Sequence, residues 1–350
     1  MKPALVKPAF VKPALLRAAA LVVSLVFVGA VCLLMGASPA AVAVAFWDGA
    51  FGTVDQAARV LGTLSPLLLC ASGLLFTFRA GLYNLGVEGQ LVVGAIAATG
   101  AASATESVLP AWAVIAVALV AGMLAGASWG VLTGVLHVFG RVSEIFAGLG
   151  MNFMAQGAAL YLIFGPWKRE GVASMAGTEP MDRSLWMSTF GTTDASPTAL
   201  LLAIAAAVFT AVLIQRTHFG LKVRAVGQNL RSAHVLGVPA VQQLLIVFAA
   251  CGVFSGLAGA LQVMAVFHRL IPNVSSNLGY LALLVVMLAS FDMRLVVPIA
   301  VLFSVLNVGS LRLPLALGLE SSLSGVLQGA LALVFLLLPR GDSGARREGT

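Results

Sequence analysis

The chain has 350 residues, 60% of them hydrophobic and only 9% charged, against roughly 25% charged residues in soluble domains. With a mean hydropathy of +1.03, that excludes a water-soluble globular fold. The net charge of +7 is spread beside apolar runs and not gathered on one face, so it reads as loop orientation in a membrane and not as a nucleic-acid surface.

Apolar runs of about 20 residues recur from end to end, each long enough to cross a bilayer core as a helix. Barrel strands would alternate apolar and polar residues, and these runs do not. The expected fold is an all-α polytopic membrane protein of about ten transmembrane helices, with cytoplasmic N- and C-termini.

Residues 1–16 form a basic tail with proline at 3, 8 and 13, which blocks a continuous helix. Lys2, Lys7, Lys12 and Arg17 place it in the cytoplasm. The apolar run from Ala18 to Met35 is longer than a signal-peptide core. The transmembrane domain covers 17–339, and 340–350 is a second cytoplasmic tail.

Span 1 is expected at 17–36, span 2 at 58–78 ending at Arg79, and span 3 at 86–105. Span 4, at 111–136, carries Gly122, Gly126, Gly130 and Gly134 at intervals of four. That spacing gives a helix one smooth face for close packing. Span 5 is expected at 143–164, and residues 165–198 form a long outer loop of nearly balanced charge. Span 6 is expected at 198–215. A basic loop follows at 217–240, and span 7 at 241–264. The short runs 278–291 and 295–310 are full spans or re-entrant segments, and a last span covers 321–338. In the basic loop, Asn229 to Leu236 reads as a short helix capped by Asn229 and stopped by Gly237 and Pro239.

The polar groups beside and within spans are the candidates for a solute pathway. Glu88, flanked by Asn84 and Gln90, adjoins span 3, and Asn152, Gln156 and Tyr161 recur on span 5. Ionisable groups at membrane depth are costly and usually face a cavity or a partner. Glu88 lines a path or fixes a helix start, where its charge meets the helix dipole. The span 5 amides line a path or join helices by hydrogen bonds.

Several chemistries are excluded or disfavoured. No phosphate-binding loop of the G-x-x-x-x-G-K-[ST] type occurs, nor H-E-x-x-H, nor a paired Cys/His spacing. Cys32, Cys70 and Cys251 lie far apart in apolar runs and read as small hydrophobes. Gly126 to Gly130 matches G-x-S-x-G, but Ser128 lies mid-span and the histidines (137, 218, 234 and 268) lie near span ends, so helix packing explains it better than a serine protease does.

Three passages together resemble one family. FRAGLYNLGVEGQLVVG, from Phe78 to Gly94, resembles its N-I-G-x-E-G-Q signature. SEIFAGLGMNFMAQGAALYLIFG, from Ser143 to Gly165, is similar to its E-V-I-x-T-x-M-L-N-Y-I-A segment. GLKVRAVGQNLRSAHVLG, from Gly220 to Gly237, is similar to its cytoplasmic loop G-x-x-x-R-A-x-G-x-N-x-x-A-A-x-x-x-G-I. The family is the permease subunits of ABC importers, in the branched-chain amino-acid and simple-sugar superfamily. The nearest likeness is to the longer permease of nucleoside importers. The sequence departs from the pattern at Leu85, at His234 and after residue 278.

The resemblance implies a permease subunit forming the pathway for a small polar solute, a nucleoside first, with a simple sugar or branched-chain amino acid as alternatives. It implies no catalytic residue and no cofactor on this chain, with ATP used by a partner. The implied partners are a second permease in a heterodimer, two ATP-binding subunits or one fused ATPase, and an extracytoplasmic solute-binding protein, in a bacterial inner membrane. Gly220, Arg224, Gly227, Asn229, Arg231, Ala233 and Gly237 would then form the loop on which the ATPase acts. The rival class is an ion-coupled secondary transporter, which the scarcity of intramembrane carboxylates disfavours.

Overall fold

Apolar sequence with helical period, broken by short polar turns, gives an all-helical chain with no strand among the described residues. The structure, a computed structural model, describes residues 38–311 except 170, 172–176, 190–192 and 194, together with a few isolated positions on either side. Spans 1 and 321–338, Cys32 and both tails lie outside the described residues. The chain forms two units, residues 57–304 and the flanking 1–56 with 305–350. All the sites below belong to the first.

The helices are α1 (Pro39–Phe51), α2 (Val54–Arg79), α3 (Val87–Thr105), α4 (Ala111–Val138), α5 (Glu144–Phe164), α6 (Pro197–Arg216), α7 (His218–Gln228), α8 (Leu230–Val235), α9 (Ala240–Leu261), α10 (Leu278–Leu288) and α11 (Met293–Leu311). Among the described residues, seven stretches are long and apolar enough to cross a membrane: α2 to α6, α9 continued to Phe267, and α11. Each begins and ends within a few residues of its expected span, because polar residues and proline stop apolar helices there. Pro197 opens α6 behind the capping hydroxyl of Ser196.

In lipid, helices gain little from hydrophobic burial against one another, so close van der Waals contact decides what packs. The glycine face of α4 lies on α9. A Cβ at Gly122 would stand 3.0 Å from the Gly256 carbonyl oxygen, and one at Gly126 would stand 2.6 Å from Gly256 Cα. Gly252 and Gly256 return the contact from α9, so the two backbones touch directly. Gly94 on α3 meets Gly256 as well, drawing α3, α4 and α9 into one tight core.

Two interruptions matter for function. Between α2 and α3 the turn 80–86 is largely buried, with Asn84 and Gly86 inside. After α9 the chain takes a π-helical turn at Gln262–Phe267 and then runs without helix to Asn277. Leu270, Val274 and Ser275 of that run are buried. Only then does α10 begin, 11 residues long. The two short runs therefore differ: 278–288 is half a span entered through buried coil, while 293–311 is a full-length helix of 19 residues. Non-helical backbone is tolerated at membrane depth only inside protein or beside a cavity.

The basic loop holds more helix than the sequence suggests. The helix after Asn229 is present as α8, with Asn229 Oδ1 accepting from the Ser232 amide at 3.0 Å. The stretch before it, expected to be loop, is the amphipathic helix α7, capped by Thr217. Val223 and Val226 turn inward from it while Lys222 stays exposed.

Candidate functional site

The two interruptions meet, and the polar residues singled out from the sequence gather there. Glu88 sits in the first turn of α3 and is 7% exposed. Its Oε2 accepts from the Gly279 amide at 2.8 Å, and the Ser275 hydroxyl and the backbone of Asn277 and Tyr280 also face it. The carboxyl thus serves two helix starts, its own and that of α10, where free amides and the helix dipole favour an acceptor.

Asn152, in the middle of α5, ties this junction together. Its Oδ1 accepts from the Gly89 amide at 2.8 Å, and its Nδ2 donates to the Leu85 carbonyl at 2.8 Å and to the Tyr280 hydroxyl at 3.0 Å. One turn along, Gln156 Nε2 donates to the Pro272 carbonyl. The start of the coil 272–277 is therefore tied to α5, with the Pro272 carbonyl met by an amide side chain. Asn84 holds the turn 80–86 by accepting from the Gly86 amide at 3.1 Å and donating to Cys251 Sγ at 3.1 Å. Gln90 is fully buried beside it, and its Nε2 has no partner among the described residues. Tyr161 stands apart, 70% exposed on α5. Five of the six pathway candidates lie in one cluster at the α3–α5–α10 junction.

The sequence did not single out Ser275, Gly279, Tyr280 or Cys251 for this cluster. Their contacts with Glu88, Asn152 and Asn84 cross 128 to 191 residues, and no local pattern announces such pairings.

The second feature is the loop 217–240. A Cβ at Gly220 would collide with the Ile214 backbone, so glycine permits the tight turn from α6 into α7. Arg224 Nε donates to the Gly220 carbonyl at 3.3 Å. Gly227 lies directly on the end of α2, against Arg79 and Ala80. Ala233 is 2% exposed and roots α8. Gly237 has φ +81, a left-handed stop that glycine adopts without cost. Arg231, His234, Val235 and Leu236 project outward, the last two 81% and 79% exposed.

At the opposite ends of α3 and α5 lies an open cavity of about 580 Å³, with Thr99, Ser103, Glu106, Trp167, Lys168 and Thr178 among its lining residues. The loop over it is pinned by backbone pairing: the Thr178 amide donates to the Leu270 carbonyl and the Met181 amide to the His268 carbonyl, both at 2.9 Å. Trp186 stacks on His268 at 3.8 Å between ring centres. On the same loop, the backbone amide and hydroxyl of Ser184 hold the Asp182 carboxyl below the usual carboxylate range. Ser128 donates to the Ala125 carbonyl of its own helix at 2.8 Å, as a packed helical serine does. No group of three or more His, Cys, Asp or Glu able to hold a metal occurs among the described residues.

Comparison with known proteins places this geometry. The family described as branched-chain amino acid transport system / permease component matches residues 56–336. The guanosine ABC transporter permease protein NupP of Bacillus subtilis is 26% identical, over 88% of this chain and 88% of its own length. The glucose ABC transporter permease protein TsgB13 of Haloferax volcanii is 29% identical over 82% of this chain and 76% of its own. A further guanosine ABC transporter permease protein of Bacillus subtilis, NupQ, is 26% identical over 63% of this chain and 70% of its own length.

Proposed function

Because the chain belongs to the permease-component family of branched-chain amino acid transport systems, we propose that it is the membrane subunit of an ATP-driven importer whose solute is a nucleoside. The observation that carries the transport role is the α7–α8 pair. It is a basic, helical loop gripped through Gly227 onto the end of α2, and it offers Val235 and Leu236 to a partner. Large exposed apolar residues in a loop this polar suit a protein surface and not water. The ATPase is a separate chain that docks there. ATP binds to that chain, and this one carries no cofactor.

The finer architecture follows the same reading. About ten spans leave both tails and the loop 217–240 in the cytoplasm, by the distribution of Lys and Arg. A second permease completes the pathway, in keeping with two similar guanosine permease proteins in one Bacillus. A solute-binding protein delivers to the opposite face, where the cavity beside Trp167 and Glu106 forms a mouth. From it the solute passes toward the cluster at Glu88 and Asn152. The setting is a bacterial inner membrane.

The nucleoside reading rests on the likeness to the guanosine permeases. A simple sugar is the second reading, favoured by the glucose permease at 29% identity. Uptake of radiolabelled solute into proteoliposomes tests both. They would hold this chain with its candidate second permease, ATPase and binding protein, with ATP on the ATPase side. ATP-dependent uptake outcompeted by nucleosides but not by ribose or leucine is the expected result. ATP-dependent uptake of a sugar would replace the solute, and uptake by this chain alone on an ion gradient would overturn the class.

A further inference from the structure

The half-helix α10 is bounded at both ends by paired residues in the left-handed region. Ser276 and Asn277 have φ +47 and +59, and Ser290 and Phe291 have φ +50 and +63. None is glycine, so each conformation carries a steric cost, least for Asn277, and persists where neighbours hold it. The neighbours are plain at each end. At the start, Glu88 accepts from the Gly279 amide. At the finish, Arg79 Nη2 donates to the Phe291 carbonyl at 2.7 Å, while Phe78 stacks on the Phe291 ring at 5.0 Å.

Arg79 does not act alone. It is the last residue of α2, and its own backbone, with that of Ala80, is what Gly227 of α7 rests on. Gly81 (φ +78), next along the same turn, also meets Gly227, where a Cβ would stand 3.4 Å from Gly227 Cα. With no side chain between them, a displacement of α7 reaches Arg79 directly. The charged groups that act on the guanidinium are Arg224 on α7 and Asp292 just after α10.

We infer that α10 is a movable gate swinging between two left-handed hinges, and that Arg79 is the positioning residue through which α7 sets its position. This rests on the reading of α7–α8 as the surface on which the ATPase acts. When the ATPase draws α7, the Arg79 backbone follows, and the guanidinium carries the Phe291 end of α10 with it. The other end swings past Glu88, changing the access of solute to the cluster. A carboxylate seat at the start of this short helix and a single arginine clamp at its finish let it take two discrete positions, as switching elements require.

The test uses the complete transporter in proteoliposomes, with spin labels at Leu284→Cys on α10 and Leu124→Cys on the exposed face of α4, in a Cys32→Ser background. In the otherwise unaltered protein, a non-hydrolysable ATP analogue should change the label separation by about 2 Å or more. In Arg79→Gln that change should vanish, and uptake per ATP hydrolysed should fall at least tenfold while ATP hydrolysis persists. Arg79→Lys, which keeps one charged donor, should restore part of both. Gly227→Ala, which pushes α7 off α2 without touching the guanidinium, should also lose the change. An unaltered protein whose labels never move, or an Arg79→Gln transporter with normal coupling, overturns the gate. Absence of ATP-dependent uptake in the unaltered protein overturns instead the reading on which it rests.

Discussion

Replacing Gly126 with alanine should destabilise the chain, and the structure sets the size of the effect. The new methyl would stand closest to the Gly252 carbonyl oxygen, then 2.6 Å from Gly256 Cα and 2.8 Å from Gly256 N, all backbone atoms of α9, where ordinary contact begins near 3.4 Å. None of these atoms can turn aside, so α4 and α9 must part by at least roughly 0.8 Å. A gap of that size forfeits a quarter to a half of each dispersion contact along the seam, at ~0.1–0.2 kcal/mol per contact, and overpacking costs ~1–3 kcal/mol. Against this, alanine is the better helix former by ~1 kcal/mol. The clash wins, for a net loss of about 1–2 kcal/mol. Gly150→Ala is the control. Gly150 also lies inside a helix, α5, with nothing within 4 Å of its Cβ position, so only the propensity gain remains. Equilibrium unfolding in mixed micelles with rising SDS should move the two midpoints in opposite directions. Midpoints that move together would refute the claim that direct backbone contact holds α4 to α9.

Other substitutions separate structure from transport. Asn152→Ala strips partners from the Gly89 amide and the Leu85 carbonyl, and should cost ~1–3 kcal/mol for each group left buried and unpaired, read by the same unfolding assay. Glu88→Ala removes the acceptor at the start of α10. Uptake should fall at least tenfold with normal membrane insertion, while Glu88→Gln, which keeps an amide oxygen, should retain more. Unchanged uptake in Glu88→Ala would leave that carboxyl no part in the pathway. Ala233→Trp has no room at a position 2% exposed and should tilt α8, so that ATP hydrolysis continues while uptake stops. Normal uptake would show that α8 does not transmit.

What could be read from the sequence depended on distance along the chain. The long helices followed from their own apolar runs and stop residues. The cap at Asn229 and the glycine face of α4 followed from spacings of a few residues. The extent of α7 did not, because its polar composition resembles a loop until Val223 and Val226 are seen to share one buried side. The half-length of α10 did not either. Its limits are set by left-handed serine, asparagine and phenylalanine; of these only asparagine favours that shape locally, and Glu88 and Arg79 hold the ends. The candidate cluster was legible as residue types beside spans, but its assembly required pairings 63 to 191 residues apart.

The glycine seam between α4 and α9 has a mechanical consequence. Most helix interfaces can slip because side chains exchange rotamers and settle into a second arrangement. Where backbone lies on backbone, there are no rotamers to exchange. Gly122, Gly126, Gly252 and Gly256 leave this pair no side chains that could absorb a small shift. Any movement along the seam must therefore shift whole backbones against one another, a turn at a time, and not side chains alone.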